Sequence, residues 1–311
     1  MENRTTMKTL LVFFLLVNSC LAKPLKVYLD WFLNPHHAAL VVAQQAGIFE
    51  KHGLQVTLIA AGGSEEGSRQ VAAGAADFAI SKQSAHLIRC CNQGMPLIRV
   101  ATLINKPLEC LITHEEVNSL ADLKGKRIGY TSSSVEFAHL SLATMLATVG
   151  LKLTDVTLVP IASGMVNAFM TKNVDALLSA YRTYELDDIR HYRPAVKVFY
   201  YEENGIPSYD QVIVVANRNH LENAKNLVAA LQESVDLIHY SPEQAWGYYA
   251  KAAPEQDTPQ NKIIFMTVAN LLTQDVGYLP IQRYNEFATF LAASGILKAD
   301  IPKDYAIDGA L

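Results

Sequence analysis

Val27-Tyr28-Leu29-Asp30-Trp31-Phe32-Leu33-Asn34-Pro35-His36-His37 reads as a short apolar strand that ends in polar and aromatic residues just before a helix. Small ligands are held at such strand ends in open α/β sheets, in the crevice at the carboxyl edge. The alternation continues outward from this stretch. Strand-like runs at 25–30, 54–60, 78–81 and 97–103 are separated by helical runs at 38–46, 65–73 and 85–92. The pattern predicts an α/β fold of βαβ units with right-handed crossovers and a mostly parallel sheet. A second series begins near Cys110, with strands at 127–130, 156–160, 176–179 and 196–200 and helices at 135–149 and 165–170. After Gly205-Ile206-Pro207 comes one more apolar strand, 211–216, and then four helical patterns without a further strand. Such a tail is expected to pack back on the first lobe, so the chain crosses between lobes twice, near 105–109 and 202–209. Two lobes joined by two crossings make a hinged clamp. The expected organisation is lobe 1 from 23–106 plus 208–311 and lobe 2 from 107–207, with no internal repeat or low-complexity linker.

Upstream, Lys8, the apolar run 10–17 and Cys20-Leu21-Ala22 read as a removable secretory leader, residues 1–22. The run falls well short of the ~20 apolar residues that a membrane span needs. Export to the periplasm is expected, with Ala22 as the small residue that leader peptidase requires. Val17-Asn18-Ser19-Cys20 also loosely resembles a lipid-attachment box, which leaves a lipoprotein through Cys20 as a second reading. The 311 residues, half of them hydrophobic, suffice for two cores. The net charge of -4 comes from well-mixed acidic and basic residues, which excludes a basic stripe for nucleic acid and a polybasic membrane patch. Past the leader, Cys90, Cys91 and Cys110 are an odd set, read as buried thiols rather than a disulfide framework. No dinucleotide-binding glycine turn, phosphate loop, zinc helix or nucleophile elbow is present.

Five blocks carry a resemblance: Asp30-Trp31-Phe32-Leu33-Asn34-Pro35-His36-His37, Gly47-Ile48-Phe49-Glu50-Lys51-His52-Gly53-Leu54, Gly74-Ala75-Ala76-Asp77-Phe78-Ala79-Ile80-Ser81, Leu123-Lys124-Gly125-Lys126-Arg127-Ile128-Gly129-Tyr130 and Gly205-Ile206-Pro207-Ser208-Tyr209. In order, they resemble the signatures of the thiamine-pyrimidine branch of type 2 periplasmic binding proteins, from about residue 26 to the C-terminus. The resemblance implies the two-lobed type 2 fold with a helical C-terminal tail. Bacterial members are receptors for an aminopyrimidine thiamine precursor, monomers without a cofactor that deliver it to the membrane permease of an ABC importer. Fungal members are pyrimidine synthases, dimers that consume pyridoxal phosphate and one of their own histidines, with iron. A third class, a sulfonate- or taurine-type receptor of the wider superfamily, would call for an anion cradle and have little use for Glu185.

A flat heteroaromatic ring calls for an aromatic face and for a carboxylate to pair with its amino group and ring nitrogen. Trp31, Tyr181, Tyr184 and Tyr209 are the candidate faces, and Glu185, which matches a family glutamate, is the candidate carboxylate. Asp30 and Asn34 adjoin Trp31, and Ser81 and Lys82 end the third strand. His37 is expected to hydrogen-bond at the cleft rim, because in a helix His36 and His37 diverge by ~100° and make a poor chelate, so no metal site is expected. Tyr130 and Thr131 lead into Ser132-Ser133-Ser134 before a long apolar helix. Ser133 with Glu136 fits a capping box, while free amides and hydroxyls at that helix start would also cradle a phosphate. Family members carry a glycine-rich turn here. Lys82 and His86, four residues apart at a helix start, are expected to share one face. They resemble the synthase segment with the cofactor lysine and the sacrificed histidine, and only in that alternative are they catalytic. The synthases carry a cysteine run where this chain has Ile206-Pro207-Ser208-Tyr209.

Overall fold

The computed structural model describes residues 23–63, 65–131 and 135–309. The leader, its cleavage and lipid sites, and the expected cap and cradle residues Ser132, Ser133 and Ser134 therefore lie outside the described residues. β1 (Leu25–Tyr28), β2 (Val56–Ile59), β3 (Phe78–Ser81) and β4 (Leu97–Ile104) build the first sheet. β5 (Glu109–Thr113), β6 (Arg127–Thr131), β7 (Thr157–Ile161), β8 (Ala176–Tyr181) and β9 (Lys197–Tyr200) build the second, after which β10 (Val212–Asn217) returns to the first. The spatial orders are β2-β1-β3-β10-β4 and β7-β6-β8-β5-β9.

Both sheets are mixed, which corrects the expectation of a mostly parallel one. In each, three parallel strands are followed by an antiparallel strand that enters directly from a crossing: β10 against β3 and β4, and β5 against β8 and β9. A strand arriving from the other lobe starts where its neighbours end, so it must run against them, and an apolar run carries no mark of that direction. The two lobes thus share one layout although the sequence shows no repeat.

Alternating apolar residues make the strands, and the helices cover both sheets. α1 (Ala38–Gln45) buries Ala38 through Ala43 against the first sheet. α3 (Glu66–Ala72) lies so close to β1 that a Cβ on Gly67 would stand 2.7 Å from the Cβ of Tyr28. α8 (Ala224–Tyr240), α9 (Pro242–Ala252) and α10 (Pro259–Ala269) join the same core through Leu227, Trp246 and Phe265. The fourth tail helix, α11 (Ile281–Ala293), reaches the second lobe as well as the first. It lies on α4 (Gln83–Gln93), and its Phe287 ring stands 5.8 Å from Phe137 of α5 (Val135–Ala147), which belongs to the second lobe. Aromatic rings bury large areas and make such a contact worthwhile on either lobe. Cys90, Cys91 and Cys110 are free and buried. No helix among the described residues is long and apolar enough to cross a membrane.

Candidate functional site

The carboxyl ends of β1, β3 and β8 meet the two crossings at one place between the lobes. β1 runs out at Asp30, whose Oδ1 lies 2.8 Å from His37 Nε2. The Nδ1 of His37 accepts the Asn34 N–H at 3.3 Å, so the ring proton sits on Nε2 and is donated to Asp30. Asn34 accepts the His36 N–H and donates to the Phe32 carbonyl, capping the single 3-10 turn Pro35–His37. Burial alone would raise Asp30, but the hydrogen bond from His37, first, and the charge of Lys82 outweigh it and hold the carboxyl down at about 2. Asp30 is therefore an anion throughout the physiological range, with Oδ1 taken by His37. Beside it, Trp31 is 49% exposed, with its indole edge-to-face on Phe32 at 5.4 Å.

From the second lobe, β8 brings Tyr181, and the chain continues through Thr183 and Tyr184 into α7 (Glu185–Tyr192). Ser179 inside this strand has φ +60°, and the pairing register with β5 shifts between Cys110 and Ile112. A left-handed residue at a bulge re-aims the side chains that follow. The Tyr201 hydroxyl holds the bend by bonding both the Ser179 N–H and its Oγ at 3.2 Å. Tyr181 and Tyr184 then lean on His36 of the first lobe, with ring centroids 5.5 and 5.1 Å apart. The His36 Nε2 reaches Thr183 Oγ1 at 2.8 Å. Glu185 accepts the Tyr181 N–H at 2.8 Å, and burial raises its pKa against that bond.

Lys82 and Glu109 bind the lobes at the floor. Lys82 Nζ is 3.0 Å from Glu109 Oε1 and 5.1 Å from the centre of the Tyr181 ring. The second oxygen of Glu109 accepts the Tyr209 hydroxyl at 2.5 Å, and Gln211 donates to the Tyr181 hydroxyl at 3.2 Å. One carboxylate at the first crossing thus collects a hydroxyl from the second crossing and an ammonium from β3. Burial would lower the Lys82 pKa, yet the Glu109 charge and Tyr181 outweigh it and hold the group above the ordinary lysine range.

Several sequence-based expectations change at this point. Lys82 and His86 close the first turn of α4, the Lys82 carbonyl accepting the His86 N–H at 2.9 Å, but Lys82 is an extended N-cap, with φ -114° and ψ 150°, and the two side chains part. That of Lys82 goes to the other lobe. His86 is fully buried, with Nε2 bonded to the Tyr305 carbonyl at 2.8 Å, and burial pushes its pKa down to about 4 despite that bond. Tyr209 presents no face to a ligand, being fully buried against Phe137 and Phe287. His37 is fully buried rather than at the rim, and Ser81 is buried as an acceptor for Arg89 at 3.1 Å. Tyr130 is a core residue set edge-to-face on His139, and Thr131 is half-buried at the end of β6. Hydrogen bonds, ring contacts and charges join Asp30, His37, Lys82, Tyr181, Tyr184 and Glu185 in one neighbourhood, while Trp31 stands against Phe32. Sequence reasoning missed Glu109, His36, Thr183 and Gln211. A lone charged residue opening the apolar run Leu108–Ile112 was the available signal for Glu109.

The residues present do not fit pyridoxal phosphate chemistry on Lys82, since a Schiff base needs the free amine and this ammonium is paired and held protonated. Nor, among the described residues, do three or more His, Cys, Asp or Glu side chains cluster to hold a metal ion. The family profile described as NMT1/THI5-like matches residues 34–245.

The chain belongs to the NMT1/THI5-like family.

A Haemophilus influenzae protein named for thiamine biosynthesis is 34% identical over 97% of this chain and 99% of its own length. A 4-amino-5-hydroxymethyl-2-methylpyrimidine phosphate synthase of Uromyces fabae is 26% identical over 90% of this chain and 86% of its own. A formylaminopyrimidine-binding protein of Halalkalibacterium halodurans is 26% identical over 66% and 62%. In fold, the NMT1/THI5-like chain is similar to the periplasmic aliphatic sulphonate binding protein SsuA of Escherichia coli. The TM-score is 0.72 and the identity 18%, over 91% of this chain and 96% of that one. The binding-protein fold follows from the likeness to SsuA, and the family from the profile and the Haemophilus influenzae relative.

Proposed function

We propose that the protein is a periplasmic receptor that closes on a thiamine-type aminopyrimidine and hands it to the permease of an ABC importer, acting as a monomer. The observation that carries this reading is an ionised Asp30 next to a half-exposed Trp31 at the end of β1, in a segment whose His36 ring packs on Tyr184 of the other lobe. A planar ring with an amino group takes stacking from the one and a charge-assisted bond from the other. Each lobe supplies part of the site, so the closed state gains ligand contacts that the open one lacks. The relative named as a formylaminopyrimidine-binding protein supports the same ligand class. The relatives named as pyrimidine phosphate synthases favour a second reading, an enzyme, but the ion-paired Lys82 and the separately buried His86 weigh against it. A sulfonate-type receptor has the fold in its favour and leaves Asp30 and Glu185 without a role.

Calorimetry with 4-amino-5-hydroxymethyl-2-methylpyrimidine and with formylaminopyrimidine tests the proposal. Binding of one of them, with a Glu185→Gln variant weaker by at least about tenfold, or about 1.4 kcal/mol, is the expected outcome. Equal affinity in the variant would remove Glu185 from the site. In the same titration Trp31→Ala is expected to abolish ligand-induced quenching and to cost about 1 to 3 kcal/mol of binding. The signal is assignable because the other tryptophan, Trp246, is buried beside Tyr249. Borohydride reduction after incubation with pyridoxal phosphate should leave no adduct on Lys82; a trapped adduct would favour the enzyme.

A further inference from the structure

His36 is the one polar side chain of the first 3-10 turn that reaches into the other lobe. Its Nε2 meets Thr183 Oγ1 at 2.8 Å, its ring lies between Tyr181 and Tyr184, and it is 6% exposed. These contacts all join residues that follow β1 to residues that follow β8, so they exist only while the lobes are together. Opening the cleft returns the imidazole to water.

The groups around it decide which protonation state the closed form accepts. On its own segment stand Asp30 and His37, which are bonded to each other. The N-cap of α4 contributes the ammonium of Lys82, and β5 the carboxylate of Glu109 that neutralises it. The second lobe adds the hydroxyls of Tyr181, Thr183 and Tyr184 and the carboxyl of Glu185, which is turned onto the Tyr181 N–H. α10, packed on the 3-10 turn, carries one titratable residue, Lys262, and that is paired with Glu243 at 2.7 Å. Among the described residues none of these carboxylates bonds the His36 ring, and burial with the positive charge of Lys82 outweighs the favourable charge of Asp30.

We propose that His36 couples closure of the two lobes to the loss of one proton, so that the clamp opens as the pH falls. The open state, with a solvated histidine, binds more protons below its ordinary pKa of about 6.5. In the closed state burial, first, pushes His36 down to about 3, with the Lys82 charge adding to it and the Asp30 charge opposing it. Lowering the pH favours the state that binds more protons, which is the open one. Above about 6.5 both states are neutral and closure is independent of pH. Between about 6.5 and 5 the closed-to-open ratio falls about tenfold per pH unit. The switch concerns closure itself; only its consequence, release of the aminopyrimidine in acid, rests on the receptor reading.

The test is the closed fraction of the purified, empty protein, read by energy transfer between dyes on Tyr192→Cys in the second lobe and Tyr240→Cys in the first. Both positions are strongly exposed, and the thiols among the described residues, Cys90, Cys91 and Cys110, are buried. The native sequence is expected to open between pH 7.5 and 5 with the slope given above, and His36→Gln to stay at one closed fraction throughout. His36→Phe keeps the ring volume without a titrating group and is expected to behave like the Gln variant. Thr183→Val retains the histidine, so its slope should persist at a lower closed fraction. A closed fraction that ignores pH in the native sequence, or an equal slope in both His36 variants, would overturn the switch. His86 titrates inside one lobe in either state and does not produce the difference between native and variant. If opening follows His36 while neither pyrimidine binds, the switch stands and the receptor reading falls.

Discussion

Replacing Glu109 by leucine is expected to destabilise the protein by about 3 to 5 kcal/mol, the cost of leaving one partner of a buried ion pair alone. The side chains of Lys82 and Glu109 are 17% and 5% exposed, so water cannot take over for the missing carboxylate. Tyr209 loses its acceptor at the same time. Lys82→Met alone should cost less, because Glu109 keeps the Tyr209 hydroxyl. The double variant Lys82→Met with Glu109→Leu should recover much of the loss, since it removes both charges and leaves apolar volume in the floor. Urea unfolding of the four proteins closes the cycle. Additive losses would mean that the two groups do not interact, and that the floor of the cleft is held by something else.

Arg99→Met is expected to cost about 4 kcal/mol or more and to loosen the C-terminal segment before the rest. Arg99 is fully buried in β4 and donates to the carbonyls of Gly277, Tyr278 and Ile307 at 2.7 to 2.9 Å, and to Thr102 Oγ1. Thr102 passes its own proton to Asp210 at 2.6 Å, which in turn takes Arg283 of α11. Methionine fills the stem of the arginine but leaves the Tyr278 and Ile307 carbonyls without a donor, each at about 1 to 3 kcal/mol, while Gly277 keeps the Gly309 N–H. Lysine carries one ammonium and cannot reproduce the fork. Hydrogen exchange read residue by residue should show the bridge between Arg99 and Ala306 losing protection first. Protection unchanged across the C-terminal segment would show that the segment is secured by its apolar contacts instead.

The element pattern was legible because periodicity is local. The helix 165–170 and the strand 78–81 stand where the alternation places them. The departure at α4 has a local cause as well: the Lys82 carbonyl accepts the His86 N–H and opens the helix, but its extended backbone turns the Lys82 side chain out of line with the helical residues. The direction of β5 and β10 was not legible, since a strand's apolar alternation reads the same both ways.

The candidate site divides along the same line. Trp31 and Asp30 could be placed from the sequence, because they sit at the end of a recognisable strand and the fold puts strand ends at the cleft. Glu109 could not, because its meaning is its partners: an ammonium 27 residues earlier and a hydroxyl 100 residues later. His36 and Thr183 lie 147 residues apart. The sequence by itself determined the two series of βαβ units, the two crossings between them, the helical tail and the family. Only the tertiary structure decided which charges face one another across the cleft, and with that the protonation of Lys82, Asp30 and His36. Local periodicity follows from backbone geometry and solvent, whereas a buried charge is governed by groups that chain closure brings within hydrogen-bonding distance.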